Sequence, residues 1–469
     1  MEISLPQSAA ELKVFLRDLD KFILDKALEW ARKTYKAVLE QVDGLIAEHR
    51  DKELTIEHKR EVWYQTCLGA VRVRRRQYRG GERKYRYLLD EFIGMGKQCH
   101  FTHAVQGLAS ELAASMPYRR TAEVLRKASA IDLAHQTIWR MVGMIADPHI
   151  EQAEQELKRF MATGETPEGK GKPICRLMSE ADGVILPLQR EKARKAEVKL
   201  GIAYEGWERV GKDRYKTVNK TAYAAIAGEQ AFWAGMALKL EAKYDLARIG
   251  ELIIGGDGAG WVKEGAGYLG GRFQLDRYHL NREITAVFGR DKATRDSVWQ
   301  AMAQGKIESG LEIVAYSVSR ARGEQAEKMS HLYRYLWENR SGLVDYRLNL
   351  GEEERKGLRR TGAMEGNVDK LVVRRMKNQG MSWTNKGIRR LLCVRFLMLE
   401  GKLAEWLERR VAGKPKIAVP PRTVRRLVNR LSMQQPDDWL KAGLPALYGP
   451  HASRPWARAL KTLAEAPTL

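Results

Sequence analysis

Two aspartates in this chain stand where a carboxylate is expensive. Asp182 lies inside the otherwise apolar run "SEADGVILPLQ", and Asp257 follows the apolar "ELIIGG" within "GGDGAGW". An ionised carboxylate among apolar residues is unfavourable unless it is paired or binds a cation. A Gly-rich loop after a strand suggests a phosphate cradle, yet a carboxylate at its centre would repel phosphate. The loop lacks the Gly-Lys-Ser/Thr of a Walker motif. Its glycines, Gly256, Gly258 and Gly260, are spaced G-x-G-x-G and not as the dinucleotide-binding G-x-G-x-x-G. Two readings remain. One is a tight turn closed by an Asx-type hydrogen bond from Asp257. The other is a metal site, in which adjacent strands bring Asp182 and Asp257 to one point. Magnesium takes oxygen ligands from one or two carboxylates, waters and substrate phosphates. In that reading the glycines let the backbone turn sharply and let DNA come close.

A third acid is expected on a downstream helix. "GAMEGNVDKLVVRRMKNQGMSW" offers Glu365, followed by a basic amphipathic stretch with Arg374, Arg375 and Lys377. Asp369, one helical turn on, and Glu283 in "HLNRE" are the substitutes. Asp276 and His279, in "LDRYHLNRE", are separated by two residues. They read either as a surface histidine with its neighbour or as a DNA-contacting pair beside the metals.

The elements that must hold these residues follow from periodicity. Residues 1 to about 62 carry apolar residues at three-and-four spacing and read as a helical arm. "TCLGAVRVRRRQYRGGERKYRYLLDEFIGM" alternates, which predicts a β-hairpin centred on Gly80-Gly81. Arg72, Arg74 and Arg76 fall on one face of it, suited to phosphate contacts. "YRRTAEVLRKASAIDLAHQTIWRMV" reads as two short helices resembling a helix-turn-helix, with Gln136, Thr137 and Arg140 presented to a DNA groove. A Gly, Pro, Thr and Lys cluster at Thr163 to Pro173 predicts a linker. Beyond it come three neighbouring extended segments, then two more strands alternating with helices. That order predicts a ribonuclease-H-like α/β sheet. The long gap from Asp257 to Glu365 predicts a helical insertion at about 290–360. The expected organisation is a helical arm (1–65), a hairpin plus helix-turn-helix-like DNA-binding region (66–150), a catalytic domain (174–405) and a basic C-terminal helical region (406–469).

Bulk composition agrees with a folded, DNA-binding chain. Of 469 residues, 44% are hydrophobic and 30% charged, and the formal charge is +23. Membrane surfaces and acidic proteins also attract cations, but a surplus spread over the whole chain together with an Arg-rich strand points to nucleic acid. Four cysteines without a CxxC pair argue against a structural zinc site or disulfide framework. No leader and no membrane span are expected.

Taken together, "EADGVILPLQ", "GDGAGWVKEG", "LDRYHLNREI" and "RRMKNQGMSWTNKG" resemble insertion-sequence transposases of the ISLre type, within the Mutator-like DDE transposases. The hairpin "LGAVRVRRRQYR" and "YRRTAEVL…HQTIWRMV" also resemble that family's N-terminal region. The likeness runs from about residue 60 to 400. It implies a ribonuclease-H-like core, a DDE triad and two Mg²⁺ or Mn²⁺ ions. Matched motif by motif, the triad falls on Asp182, Asp257 and Glu365, and Asp276 with His279 matches the family's D-x-x-H. The expected protein is a DNA transposase of a prokaryotic insertion sequence, cytoplasmic and nucleoid-associated. It would bind double-stranded DNA at element ends and target and act as a homodimer or higher assembly. A metal-dependent nuclease without joining activity, and a non-catalytic DNA-binding protein derived from a transposase, are the alternatives.

Overall fold

The computed structural model describes residues 8–80, 85–95, 100–165, 171–212, 214–378, 380–411 and 422. They fall into two compact units. Of these described residues, the first unit contains those up to 105, 129–131, 409–411 and 422; the second contains those within 106–128 and 132–408.

In the first unit, α1 (Ala9–Arg17) and α2 (Leu19–Glu48) precede a long antiparallel hairpin, β1 (Thr55–Thr66) and β2 (Gly69–Arg79). The alternating pattern makes two antiparallel connections: the expected one after Gly80, between β2 and a short third strand, and a longer one before it that turns at Cys67–Leu68. Thr66 closes that turn, its hydroxyl accepting from Leu68 N at 3.0 Å and donating to Gly69 O at 2.9 Å. Residues 55–62, read as helix end, are strand, because Val62 and Tyr64 place the buried side chains of β1 at period two. Gly80 follows β2, and the short β3 (Tyr85–Arg86) pairs back onto it; Gly81 lies outside the described residues. Ile46 of α2, Tyr64, Val73, Tyr78 and, from α3 (Leu88–Phe92), Leu89 form this unit's core. The helix α4 (His103–Ser115) begins here and continues into the second unit.

The second unit is built on a five-stranded sheet of order β10-β9-β4-β5-β8. β4 (Arg176–Pro187) is central. It pairs antiparallel with β5 (Lys195–Tyr204), which pairs antiparallel with β8 (Thr221–Ala225). On its other side β4 runs parallel to β9 (Glu251–Gly256), and β9 parallel to β10 (Arg272–Leu275). "EGWERV", read as the end of the second strand, is instead β6 (Gly206–Gly211), paired with β7 (Arg214–Val218) in a separate hairpin. Alternation continues across that break, so the pattern alone does not reveal it.

Both faces of the sheet are covered, as expected where strands are mostly apolar. Leu177, Ala181, Leu252 and Ile254 face one core. It is completed by α7 (Glu229–Glu241), α8 (Gly260–Leu269), α9 (Arg277–Phe288) and the helices of residues 290–340: α10 (Lys292–Ala303), α11 (Ile307–Arg320) and α12 (Glu324–Glu338). Met178, Val184 and Ile253 face the other core. After α13 (Glu352–Arg355), α14 (Met364–Val368) runs through a π-helical turn (Asp369–Val373) into α15 (Arg374–Met376), and this stretch packs there with α16 (Asn385–Leu399).

Of the two helices compared with a helix-turn-helix, α5 (Tyr118–Ala128) is short, but α6 (His135–Thr163) is 29 residues long. It lies along α16, where the Arg390 guanidinium bonds Asp147 (Nε–Oδ1 2.7 Å) and covers Trp139. α6 ends at Gly164 in the left-handed conformation, inside the expected linker, of which 166–170 are outside the described residues. The last helix, α17 (Lys402–Val411), opens the expected C-terminal region; beyond residue 411 only Arg422 is described.

Candidate functional site

The register of the central strands sets the geometry. β4 and β9 pair in steps from Arg176↔Glu251 to Glu180↔Gly255. Asp182 lies two residues further along β4 and shares a sheet face with Glu180 at period two, while Asp257 directly follows the last residue of β9, near enough for its charge to act on Asp182. Asp182 is half-buried, and its Oδ1 accepts from Gly183 N at 2.6 Å. Asp257 Oδ1 accepts from Ala259 N at 2.9 Å, so the Asx-type turn expected as one reading of the loop is present. Each aspartate thus has one oxygen engaged by a backbone N–H one or two residues further along the chain.

Charge links the cluster. Burial raises the Asp182 pKa to about 6; the Asp257 and Glu365 carboxylates push in the same direction, against the Gly183 N–H and His279. The alternatives to Glu365 have other partners. Asp369 bonds Arg374 Nε at 2.5 Å, and Glu283 bonds Arg282 at 3.2 Å. Among the described residues, no group of three or more His, Cys, Asp or Glu side chains is arranged to hold a metal ion. The donors that gather are carboxylates, the hard oxygen ligands that suit Mg²⁺ or Mn²⁺, and their mutual repulsion at Asp182 is what a divalent cation relieves. As they stand, Asp182, Asp257 and Glu365 are not arranged as a metal-binding group, so holding a cation would require the three carboxylates to draw together.

The residue that joins Glu365 to the sheet is Glu180, which the sequence pattern does not single out. It is 1% exposed. Its Oε2 accepts from Gly362 N (3.0 Å) and Met364 N (2.9 Å), and its Oε1 from Ala363 N (3.2 Å) and the Tyr204 hydroxyl. A carboxylate therefore fills the N-terminal turn of α14, where unpaired N–H groups attract negative charge. Burial raises the Glu180 pKa and Asp276 adds to it, while Tyr204 and the Met364 and Ala363 N–H groups oppose. One signal does point to it: Glu180 is an acid in an apolar strand, two residues before Asp182.

Asp276 is 2% exposed and caps α9 by accepting from Tyr278 N at 3.0 Å. Its other oxygen meets His279 Nδ1 at 3.1 Å, and this bond raises the histidine pKa. The two are therefore a bonded pair, and His279 is near enough to act on Asp182.

The sharp backbone turn expected of the loop glycines is present at Gly258, and close packing accounts for a further glycine, Gly255. A Cβ on Gly255 would lie 2.9 Å from Glu180 Cγ, so that glycine admits the buried acid. Gly258 has φ +96°, and a Cβ there would lie 2.6 Å from Asn339 Oδ1. Asn339, 2% exposed, and Tyr335, whose hydroxyl donates to Asp257 O at 2.9 Å, hold the loop from behind.

The expected DNA-contacting residues divide. Arg74, Gln136, Arg140 and Lys377 are exposed, and Thr137 is half-buried. Arg72 pairs with Glu61, and Arg374 with Asp369. Arg76 is largely buried and bonds Asp43 (2.5 Å), so it is not a free phosphate contact. Arg375 is also not a surface residue: 2% exposed, it donates to Ala113 O at 2.9 Å and sits over Tyr118 and Trp383, and burial lowers its pKa to about 10.

The model of an uncharacterised protein family, UPF0236, matches residues 10–411. Two UPF0236 proteins of Caldanaerobacter subterraneus subsp. tengcongensis are each 25% identical over 410 residues. The alignments cover 85% of this chain and 82% or 83% of the relative. A third relative, described as "UPF0236 protein in vanSb 3'region" of Streptococcus gallolyticus, is 25% identical over 365 residues, 72% of this chain and 75% of its own.

Proposed function

The chain belongs to the UPF0236 family, and we propose that it is a DDE-type DNA transposase of a prokaryotic insertion sequence. The observation that carries the proposal is the cluster in which Asp182, on the central strand, feels the charge of both Asp257 and Glu365. The sheet, three antiparallel strands followed by two parallel ones with helices between, supports a ribonuclease-H-like core. The helices at residues 292–338 would be the insertion before its last acid. The printed name of one relative joins eleven locus labels from one genome. A family name repeated over several labels of one organism fits a mobile element.

Asp182, Asp257 and Glu365 would hold two divalent cations, Mg²⁺ or Mn²⁺. When bound, such ions polarise the scissile phosphate and activate the attacking oxygen for in-line displacement. The chain's own part is positional. Glu180 fixes the turn that carries Glu365 relative to β4, and Tyr335 and Asn339 fix the loop that carries Asp257. Asp276 orients His279 through Nδ1, leaving Nε2 for a phosphate oxygen. Exposed cations such as Arg74, Arg140 and Lys377 would contact the DNA backbone. No helix among the described residues is long and apolar enough to cross a membrane; a cytoplasmic protein on the nucleoid, paired as a dimer or larger assembly across two DNA ends, is the accompanying proposal.

The test is incubation of the purified protein with labelled DNA from both ends of the element, with Mg²⁺ or Mn²⁺. Cleavage at the ends followed by joining to target DNA is expected. Asp257→Asn should abolish both while end binding persists, because it keeps size and removes the ligating charge. Cutting without joining would make the protein a nuclease. Metal-dependent cutting that survives in Asp257→Asn would refute the assignment.

A further inference from the structure

Beside the acid cluster, within the same unit, is a cleft of about 830 Å³ between the β6–β7 hairpin and residues 358–370. Six cations line it: Lys216, Lys220, Arg347, Arg359, Arg360 and Lys370. No carboxylate does. Asp345 serves both Arg347 and Arg360, and Glu208 serves Lys216. The other three have no acid partner among the described residues. Lys220 donates to the neutral Asn367 Oδ1 at 2.6 Å, and the Arg359 guanidinium lies 3.8 Å from the Tyr215 ring centroid. Like charges this close repel, and burial together with Lys370 lowers the Lys220 pKa. Thr361, 5% exposed and with an unpartnered hydroxyl, also lines the cleft.

One turn of chain joins the cleft to the acids. Gly362 and Ala363 line the cleft, and their N–H groups bond Glu180. A Cβ on Gly362 would lie 3.3 Å from Asp276 Oδ1. Glu365 follows in the first turn of α14. A linear polyanion lying along the cleft would have its next phosphate directed toward the acids. The aromatic rings of Trp207 and Tyr215 in its wall suit a nucleic-acid strand better than an acidic peptide, because bases stack on such rings.

We propose that this cleft binds the sugar–phosphate backbone of the DNA strand on which the acid cluster acts, through Lys220, Arg359 and Lys370. The proposal rests on the transposase reading of that cluster.

Fluorescence anisotropy of the full chain with labelled element-end DNA, over a series of salt concentrations, tests it. The triple variant Lys220→Ala, Arg359→Ala, Lys370→Ala should bind more weakly and with a log–log salt slope shallower by about two to three units, at roughly 0.7–0.9 for each phosphate that is no longer neutralised. A charge-retaining triple, Lys220→Arg, Arg359→Lys, Lys370→Arg, should keep the wild-type slope. If wild type binds DNA and the alanine triple keeps its slope, the cleft assignment is overturned while the transposase reading stands. If the charge-retaining triple loses the slope equally, the effect is structural and the assignment is again overturned. If the alanine triple instead loses only the binding of polyglutamate, the cleft takes acidic peptides and not DNA. Failure of wild type to bind DNA at all would overturn the transposase reading itself.

Discussion

Glu180→Gln separates a positioning role from a general structural one. The side chain keeps its shape, but one carboxylate oxygen becomes an NH₂ group. Oε2 accepts two backbone N–H bonds at 3.0 and 2.9 Å, so the amide oxygen should take that place. The NH₂ then faces Ala363 N, whose 3.2 Å bond is lost, while the Tyr204 hydroxyl can rotate to accept. One bond to a charged group goes, about 1.5–3 kcal/mol, and two others weaken by about 0.5–1 kcal/mol each as the acceptor becomes neutral. Relief of the buried charge offsets part of this, leaving a net loss of about 2–3 kcal/mol. In a unit of this size that is a melting-temperature drop of roughly 3–5 °C, so the protein should remain folded at 25 °C. The loss is concentrated at the turn before Glu365. Cleavage should therefore fall by about a hundredfold or more, with end binding within a few fold of wild type. Initial-rate cleavage assays at saturating Mg²⁺, with anisotropy and thermal melts in parallel, read all three. Wild-type cleavage in a variant whose melting point has dropped would show that the latch does not position Glu365, and the reasoning would fail.

Three further outcomes follow from the geometry. Glu365→Gln should reduce cleavage as severely as Asp182→Asn, whereas Asp369→Asn, which removes only the exposed pair with Arg374, should change it by less than about threefold; a reversed order would move the third acid to Asp369. Without divalent cations, stability should fall as pH rises from about 4 to 6, because folded Asp182 holds its proton up to about 6 while the unfolded side chain releases it near 3.8; the full shift would be worth about 3 kcal/mol, and part exposure reduces it to about 1–2. Mg²⁺ should remove that decline, and melts in EDTA that are flat over this window would refute the assignment. Finally, Arg74→Ala should make the salt slope of DNA binding shallower by about one unit, while Arg76→Ala should lower the melting point and leave the slope unchanged, since its guanidinium is committed to Asp43; equal slope losses would mean that the pair opens on DNA.

Asp182 and Asp257 are legible in the sequence because each interrupts an apolar strand, and an isolated charge in such a run demands a compensating partner. The five sheet segments are legible for the same reason that they are buried: runs such as "LIIGG" have little use outside a covered sheet. Glu180 escapes notice because its partners are backbone N–H groups about 180 residues downstream, and backbone donors leave no mark in side-chain spacing. Arg375 misleads because an arginine on a helix next to Arg374 looks like a basic face, while two of its partners, the Ala113 carbonyl and Tyr118, come from more than 250 residues upstream and another, Trp383, from beyond the end of its helix. Gly80-Gly81 attracts the hairpin turn on paper because glycine pairs favour turns. The chain does reverse there, since β3 pairs antiparallel with β2 after Gly80, but the long hairpin is the earlier one, which Thr66 closes with its hydroxyl.

The segment from Tyr335 to Tyr346 changes how the helical excursion between β10 and α14 can be trimmed. Its residues are stitched to the ends of β9 and β10: Tyr335 to the Asp257 carbonyl, Gly342 O and Tyr346 N to the buried Gln274 side chain at 2.8 and 2.9 Å. α10 and α11 pack mainly on each other and on α12 and α9, and neither supplies a partner to these bonds. The excursion is thus two objects, an outer helical pair that evolution or an engineer can shorten, and an inner strap that belongs to the sheet. A truncation that rejoins the chain ahead of Tyr335 keeps the Asp257 loop braced, whereas one that rejoins it after Tyr346 leaves that loop with only its own Asx turn to hold its shape.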